Sequence, residues 1–253
     1  MLATMEKTQF YIWLPSNSSM DRFPDNTLTE YRVQLPQCIR LMDDWEVAVT
    51  EIQYPHSWNN VHDKKWNRFY VLEGITVEYF DLPPGHYSSV TKIIENLNDA
   101  LKDSKYEKRV WFSYEELSRK ITIHIEDGLK VLFADVGPML GLKSSFAYDK
   151  TTTAKNEVDL DYGFHTLYVY CDIVESQFVG HAQAPLLRIV PVEGKDGYRV
   201  SNTFTSPQYL PVSRKEFETI EVNIRRDSGD IVPFEAGRLL VTLHFRRASP
   251  YFH

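Results

Sequence analysis

The chain has 253 residues, 43% hydrophobic and 25% charged, a composition that supports a packed core in one large all-β domain or two small domains. Its net charge is −7, and lysine and arginine cluster no further than pairs such as Arg225-Arg226 and Arg246-Arg247. That argues against direct nucleic-acid binding, which selects a basic face; the charge reads as surface solubility.

No run of about 18 apolar residues offers a transmembrane helix, so membrane insertion is not expected. The start, MLATMEKTQF, lacks an apolar signal core, so synthesis in the reducing cytoplasm is expected. Asn17-Ser18-Ser19 matches a glycosylation sequon, which stays unused without secretion. Cys38 and Cys171 both lie in apolar strand-like runs and are expected as buried free thiols. Aromatic residues make up 13%, which favours pleated sheet.

Taken in order, QFYIWLPSNSS (9–19) reads as a short aromatic strand closed by Pro15. TLTEYRVQLP (27–36) sets Tyr31, Val33 and Leu35 against Glu30, Arg32 and Gln34, the alternation of a half-buried strand. WEVAVTEIQYP (45–55) is apolar on both faces, with Trp45, Val47 and Val49 on one and Ala48, Ile52 and Tyr54 on the other, as a central strand requires. HSWNNVHDKKWN is a loop, and RFYVLEG starts a new strand.

From about residue 75 the pattern changes. ITVEYF is a strand stopped by LPPGHY, and SSVTKIIENLNDALKDS is a helix with Val90, Ile93, Ile94, Leu97 and Leu101 three and four apart, and Ser88 or Ser89 as N-cap. Three strands follow, RVWFSYEE, RKITIHIED and LKVLFAD, and DVGPMLGL (135–142) is a helical turn ending at Gly141. Residues 75–145 therefore form a compact α+β insertion, between a first part, 1–74, and a second, 146–253, of a larger β domain.

Residues 146–164 read as a polar loop, and HTLYVYCDIVESQFVG (165–180) as one long strand. APLLRIVPVEG, YRVSNTF and PQYLPVS are extended pieces broken by proline, suited to edges or loops. EFETIEVNIR (216–225) alternates Ile220, Val222 and Ile224 with a mostly polar face, while RLLVTLHFRR (238–247) is apolar on both faces. Asp227-Ser228-Gly229-Asp230 between them is a turn signal, so the chain is expected to end in two long strands of one sheet. About eight strands outside the insertion, long loops and no βαβ alternation point to a mainly β fold, a single jelly-roll antiparallel β-sandwich.

No catalytic motif is present: no G-x-S-x-G, Walker loop, H-E-x-x-H or C-x-x-C. The eight histidines, His56, His62, His86, His124, His165, His181, His244 and His253, are scattered, and no two stand one residue apart as a cupin-like metal site would need. His124 and His244 lie between apolar neighbours and read as hydrogen-bonded structural histidines. Glu157, Asp159 and Asp161 have the oxygen ligands that Ca²⁺ takes, but read as a solvated acidic loop. Trp58 and Trp66 offer either a sugar platform or anchors for a long loop. Gly137 and Gly141 need no ligand as turn and C-cap. No cofactor, metal or catalytic residue is assigned.

Four stretches, FYIWLPSNSSMDRFPDNTLTEYRVQLPQCIRL, WEVAVTEIQYPHSWNNV, LYVYCDIVESQFVG with APLLRIVPVEG, and EFETIEVNIRRDSGDIVPFEAGRLLVTLHFR, resemble the minor capsid (penton) protein of Polinton, or Maverick, DNA transposons and related adintoviruses. The resemblance spans nearly the whole chain and is strongest at 10–61 and 164–246. It implies a jelly roll assembling as a homo-pentamer at the five-fold vertices of an icosahedral shell, whose remainder is a double-jelly-roll major capsid protein. In related virophage pentons an extra domain interrupts the roll, as 75–145 does here. The family supplies no functional residues to carry over. The stretches MLATMEKT and RASPYFH are then arms to neighbours or frayed ends. A receptor- or glycan-binding jelly roll, or a domesticated host copy, is the alternative, and a cupin-like enzyme the third reading.

Overall fold

The computed structural model describes residues 8–62, 66–161 and 164–248. Residues 1–7 and 249–253, most of the expected arms together with His253, lie outside them. The chain divides into two compact units, Met1–Ser57 with Phe164–His253, and Trp58–Gly163.

The first unit opens with β1 (Gln9–Pro15), β2 (Glu30–Arg40) and β3 (Trp45–Pro55). The second unit contains β4 (Arg68–Glu73), β5 (Thr76–Asp81), α1 (Val90–Ala100), β6 (Val110–Glu115), β7 (Lys120–Ile125), β8 (Leu129–Phe133), β9 (Ala147–Tyr148) and β10 (Thr152–Thr153). The first unit resumes with β11 (Thr166–Cys171), β12 (Gln177–Val179), β13 (Ala182–Ala184), β14 (Leu186–Pro191), β15 (Arg199–Thr203), β16 (Leu210–Pro211), β17 (Glu216–Arg225) and β18 (Leu240–Arg247).

The pairing in the first unit is nested. β1 pairs with β18, β2 with β17, β3 with β15 and β16, and β11 with β14, all antiparallel. The two resulting sheets run β1-β18-β3-β15 and β14-β11-β17-β2. A chain doubled back on itself and rolled in this way is a single jelly roll. The registers place the β2–β3, β11–β14 and β16–β17 connections at one end of the sandwich; the β1–β2, β14–β15 and β17–β18 connections lie at the other, with Ser57 and Phe164.

The inner faces supply the core. Val241, Leu243 and Phe245 of one sheet and Ile220, Val222 and Ile224 of the other are fully buried. Two tyrosines tie the sheets at the end where the chain leaves for the second unit. The Tyr31 hydroxyl on β2 donates to the Leu14 carbonyl on β1 at 3.0 Å. The Tyr54 hydroxyl on β3 donates to the Pro191 carbonyl at 3.4 Å and accepts the Glu193 N–H at 2.9 Å. Burial, and then the neighbouring Cys171 thiol, hold Tyr31 well above its ordinary pKa.

Several local expectations are corrected. β17 and β18 belong to opposite sheets, not to one. The turn at 227–230 does form, with Arg226 N–H donating to the Asp230 carbonyl at 2.8 Å. The segment through buried Val232 and Pro233 then carries the chain across to the other sheet, so each strand's apolar face meets the other's. In β3, Val49 opposes Leu243 and Ile52 opposes Val241, so an extra residue bulges at Thr50. Ile52 and Tyr54 thereby join Trp45, Val47 and Val49 on the inner face. Residues 165–180 are not one strand: a turn after Cys171, with Val174 N–H to the Cys171 carbonyl at 3.4 Å, leads into the β12–β13 hairpin. Cys38 is exposed, because the β2–β17 register jumps between Gln34 and Ile39 and pushes Pro36–Cys38 out of the ladder. Cys171 is buried, as expected.

The second unit has its own core and two sheets, β10-β7-β6 and β5-β4-β8-β9. It starts earlier and ends later than 75–145, because both ladders of β4, to β5 and to β8, are made inside it, and because 147–153 supply the edge strands β9 and β10 where a loop was expected. α1 stops at Ala100, short of Ser104, where 3₁₀-type turns and a left-handed Asp103 (φ 61°) end it. The Asn98 side chain covers the free edge of β6, accepting from Phe112 N–H at 2.8 Å and donating to the Phe112 carbonyl at 3.0 Å. Gly141 ends its short helix in the left-handed region (φ 76°), where a Cβ would overlap the Asn156 carbonyl.

Two outcomes are expected. Tyr31→Phe should cost about 1–3 kcal/mol at pH 7, the range for a buried acceptor losing its donor. Tyr31 and Cys171, whose pKa is pushed up to about 12, both favour the protonated form when folded. Their contribution is complete below the unfolded values of 10.0 and 9.0 and is lost as pH rises past them. Urea midpoints should therefore fall above pH 9, less steeply in Tyr31→Phe; equal slopes would refute the assignment. Gly141→Ala should destabilise the second unit by about 1–3 kcal/mol, read as earlier loss of hydrogen-exchange protection in β7 and β8 than in β17.

Candidate interaction interface

The titratable and nucleophilic side chains do not converge. Among the described residues no group of three or more His, Cys, Asp or Glu could hold a metal ion. His124 bonds Ser113 Oγ at 2.8 Å and stacks on Trp111 with ring centres 4.6 Å apart. His86 Nδ1 bonds the Trp58 carbonyl at 3.0 Å, and His62 meets Trp66 edge-on. His56 is buried, whereas His165 and His181 are exposed. Glu157 pairs with Arg119 in the β6–β7 turn at 3.2 Å, and Asp159 Oδ1 accepts Asp161 N–H at 3.1 Å, so the acidic segment is tied to its neighbours. Trp58 is buried and Trp66 packs on the core of the second unit; both anchor chain rather than present a ring for stacking.

A depression of about 350 Å³ lies on the outer face of the β14-β11-β17-β2 sheet, lined by Tyr170, Asp172, Glu221, Asn223 and Arg225 among others. Its charges Asp172 and Arg225 are paired within the roll. Asp172 pairs with Arg214 at 2.9 Å and accepts Glu221 N–H at 2.8 Å, while Glu30 takes both Asn223 and Arg225. The Cys171 thiol beside it is pushed up to about 12 by burial, and a thiol held protonated is a poor nucleophile.

What distinguishes the sandwich is its two open edges. At one, β1 and β2 flank a groove of about 1030 Å³ lined by Phe10, Ile12, Leu35, Ile39 and Met42 among others. Tyr11 and Trp13 project from β1 beside it, stacked at 6.0 Å and exposed. On the opposite side, Ile189 on β14 and Tyr198, just before β15, are exposed, and the β12–β13 hairpin carries exposed Phe178. Arg188 lies 3.9 Å from the Phe204 ring centre on this side. The signal for the first edge was present in QFYIWLP, which has aromatics on both faces of a strand where one face should be polar. The Phe178 hairpin was missed because ESQFVGHAQA reads equally as the tail of the preceding strand.

The outer face next to β1 is knitted by His244. Its Nδ1 bonds the Tyr209 hydroxyl at 2.6 Å and its Nε2 bonds Gln9 Oε1 at 3.1 Å. The Tyr11 ring lies 4.4 Å away, and the Arg246 guanidinium sits 3.5 Å over Tyr209. Burial, then the charge of Arg246, hold His244 below its ordinary value of 6.5. The neutral ring suits both bonds: Nδ1 accepts from the hydroxyl while Nε2–H donates to the amide oxygen.

The geometry defines a class of fold: a jelly roll interrupted by a second compact unit. No protein-family model matches the chain, and no curated protein matches its sequence. Among solved structures it is similar to the penton protein of mavirus, with a TM-score of 0.52 and 11% identity, covering 95% of this chain and 100% of that one. At that identity the likeness is one of fold: the mainly β, jelly-roll expectation holds, and the fold is penton-like.

Acidification should loosen the His244 cluster. Its folded pKa is depressed, so its contribution is present above 6.5 and is lost as pH falls through the lower folded value. The melting temperature should drop between pH 6.5 and 5, with a smaller drop in His244→Asn. An NMR titration giving His244 a midpoint above 6.5 would contradict this.

Proposed function

We propose that the chain is a structural capsid protein: the penton of a virus-like particle encoded by a Polinton- or Maverick-type element. Five copies form a ring that closes each five-fold vertex, and a double-jelly-roll major capsid protein surrounds them. The protein then resides in the virion, carries no catalytic residue or cofactor, and has no direct role in holding nucleic acid.

The observation that carries this reading is the end-to-end likeness of fold to the mavirus penton protein, over 95% of this chain and all of that one. The chemistry agrees with it. His244, His124 and Glu157 are engaged with structural partners. The apolar surface beyond the core sits at edges, where lateral neighbours would meet it. The stretches that resemble Polinton minor capsid proteins run through β1, β2, β3, β11, β14, β17 and β18 of the roll and several of their connections.

The test is co-expression with the double-jelly-roll capsid protein of the same element, followed by cryo-EM of the particles. Five-fold density that fits the roll is expected at every vertex. Shells that close their vertices without this chain, together with failure to co-purify, would refute the reading.

A further inference from the structure

Most of the exposed large apolar residues of the roll gather on two sides. Tyr11, Trp13 and Met42 belong to the β1/β2 edge, and Phe178, Ile189 and Tyr198 to the side of β14 and β15, while Met20 and Ile231 lie in the β1–β2 and β17–β18 connections. One edge is concave: β1 and β2 flank the groove. On the other side the β12–β13 hairpin, inserted between β11 and the edge strand β14, carries exposed Phe178. We propose that these edges are the two halves of one contact between copies of this chain, in which the Phe178 hairpin of one copy seats in the β1/β2 groove of the next.

The occupant is a second copy for three reasons. First, the areas match. At 150–250 Å² for a buried aromatic, the exposed parts of Tyr11 (50%), Trp13 (58%) and Phe178 (87%) come to about 300–500 Å². Summed over both partners, that is about a third to a half of the apolar part of a standard interface of about 1,600 Å². Second, the heights match. Met42, Trp45 and Arg247 mark the groove as open toward the end that carries the β2–β3 connection, and the hairpin rises from the same end. Copies standing side by side in the same direction therefore bring hairpin and groove together. Third, Pro36–Cys38 have left the ladder, which blunts β2 as a template for an added strand and leaves room for a side-chain knob.

A knob and a groove on opposite edges make a heterologous contact, which leaves one of each unsatisfied until a ring closes. The inference rests on the penton reading and supplies it with an interface; it fixes the kind of symmetry, not the number of copies.

Cys38 lies in the groove and is exposed, whereas Cys171 is buried. The full-length chain with Phe178→Cys and Cys38→Ser, mixed with wild type and oxidised with diamide, should give one disulfide-linked dimer on a non-reducing gel. The Phe178→Cys variant with Cys38 intact should give a ladder. Phe178→Asp and Met42→Asp should each raise the concentration for ring formation at least 100-fold in sedimentation velocity, with circular dichroism and melting temperature unchanged. Wild-type rings that persist in Phe178→Asp without a ladder would overturn this contact and leave the capsid reading standing. A wild type that stays monomeric, with no ladder from the Phe178→Cys variant, would also overturn it. A ladder from a chain that never enters shells would uphold the contact and sink the capsid reading alone.

Discussion

The roll depends on the burial of two apolar faces against each other, Val241, Leu243 and Phe245 on one side and Ile220, Val222 and Ile224 on the other. Neither sheet could hide its inner face alone. The two buried tyrosines make the stacking specific. Tyr31 reaches from β2 to β1, and Tyr54 from β3 to the end of β14, so one hydroxyl clamps each side of the sandwich. A buried hydroxyl without a partner is costly, and sliding one sheet over the other would break both bonds together.

Stacking two open sheets leaves four edge strands, and the chain treats them differently. β3 is flanked by β18 and by the two short pieces β15 and β16, so a large part of that side is broken and short. Arg188 lies against Phe204 there. β1 remains a seven-residue edge with aromatic side chains on both faces. Natural sheets guard long edges with charge, proline or bulges, and β2 uses a bulge. β1 uses none along Phe10–Leu14, which marks it as a surface built for company.

Much of the architecture was legible in the residues. Strand count, missing βαβ alternation and the central character of Leu239–Phe245 lead to a sandwich, and β18 does lie between β1 and β3. What was not legible is where periodicity slips. Parity alone splits Trp45–Val49 from Ile52 and Tyr54, and only the bulge at Thr50 reunites them. Likewise Phe217 is buried with Ile220, at odd spacing, because the β2–β17 register jumps beside it. A turn sequence such as that at 227–230 says that the chain reverses, not which sheet it then joins. The hairpin bearing Phe178 and the groove opposite it share no sequence motif. They are defined by which edges lie open, a property of the assembled sheets.

The second unit is contiguous in sequence, whereas the roll pairs β1 with β18 and β2 with β17. During synthesis the two must mature at different moments. Everything that Trp58–Gly163 needs is available once that stretch has left the ribosome. β1, β2 and β3 instead wait for ladder partners that begin to emerge only at Arg199, with β15 and β16 joining β3, then β17 joining β2, and last β18 joining β1 and β3. Throughout that interval the early strands are open to mispairing with nascent neighbours, while the stretch that separates them in sequence from their partners can already fold.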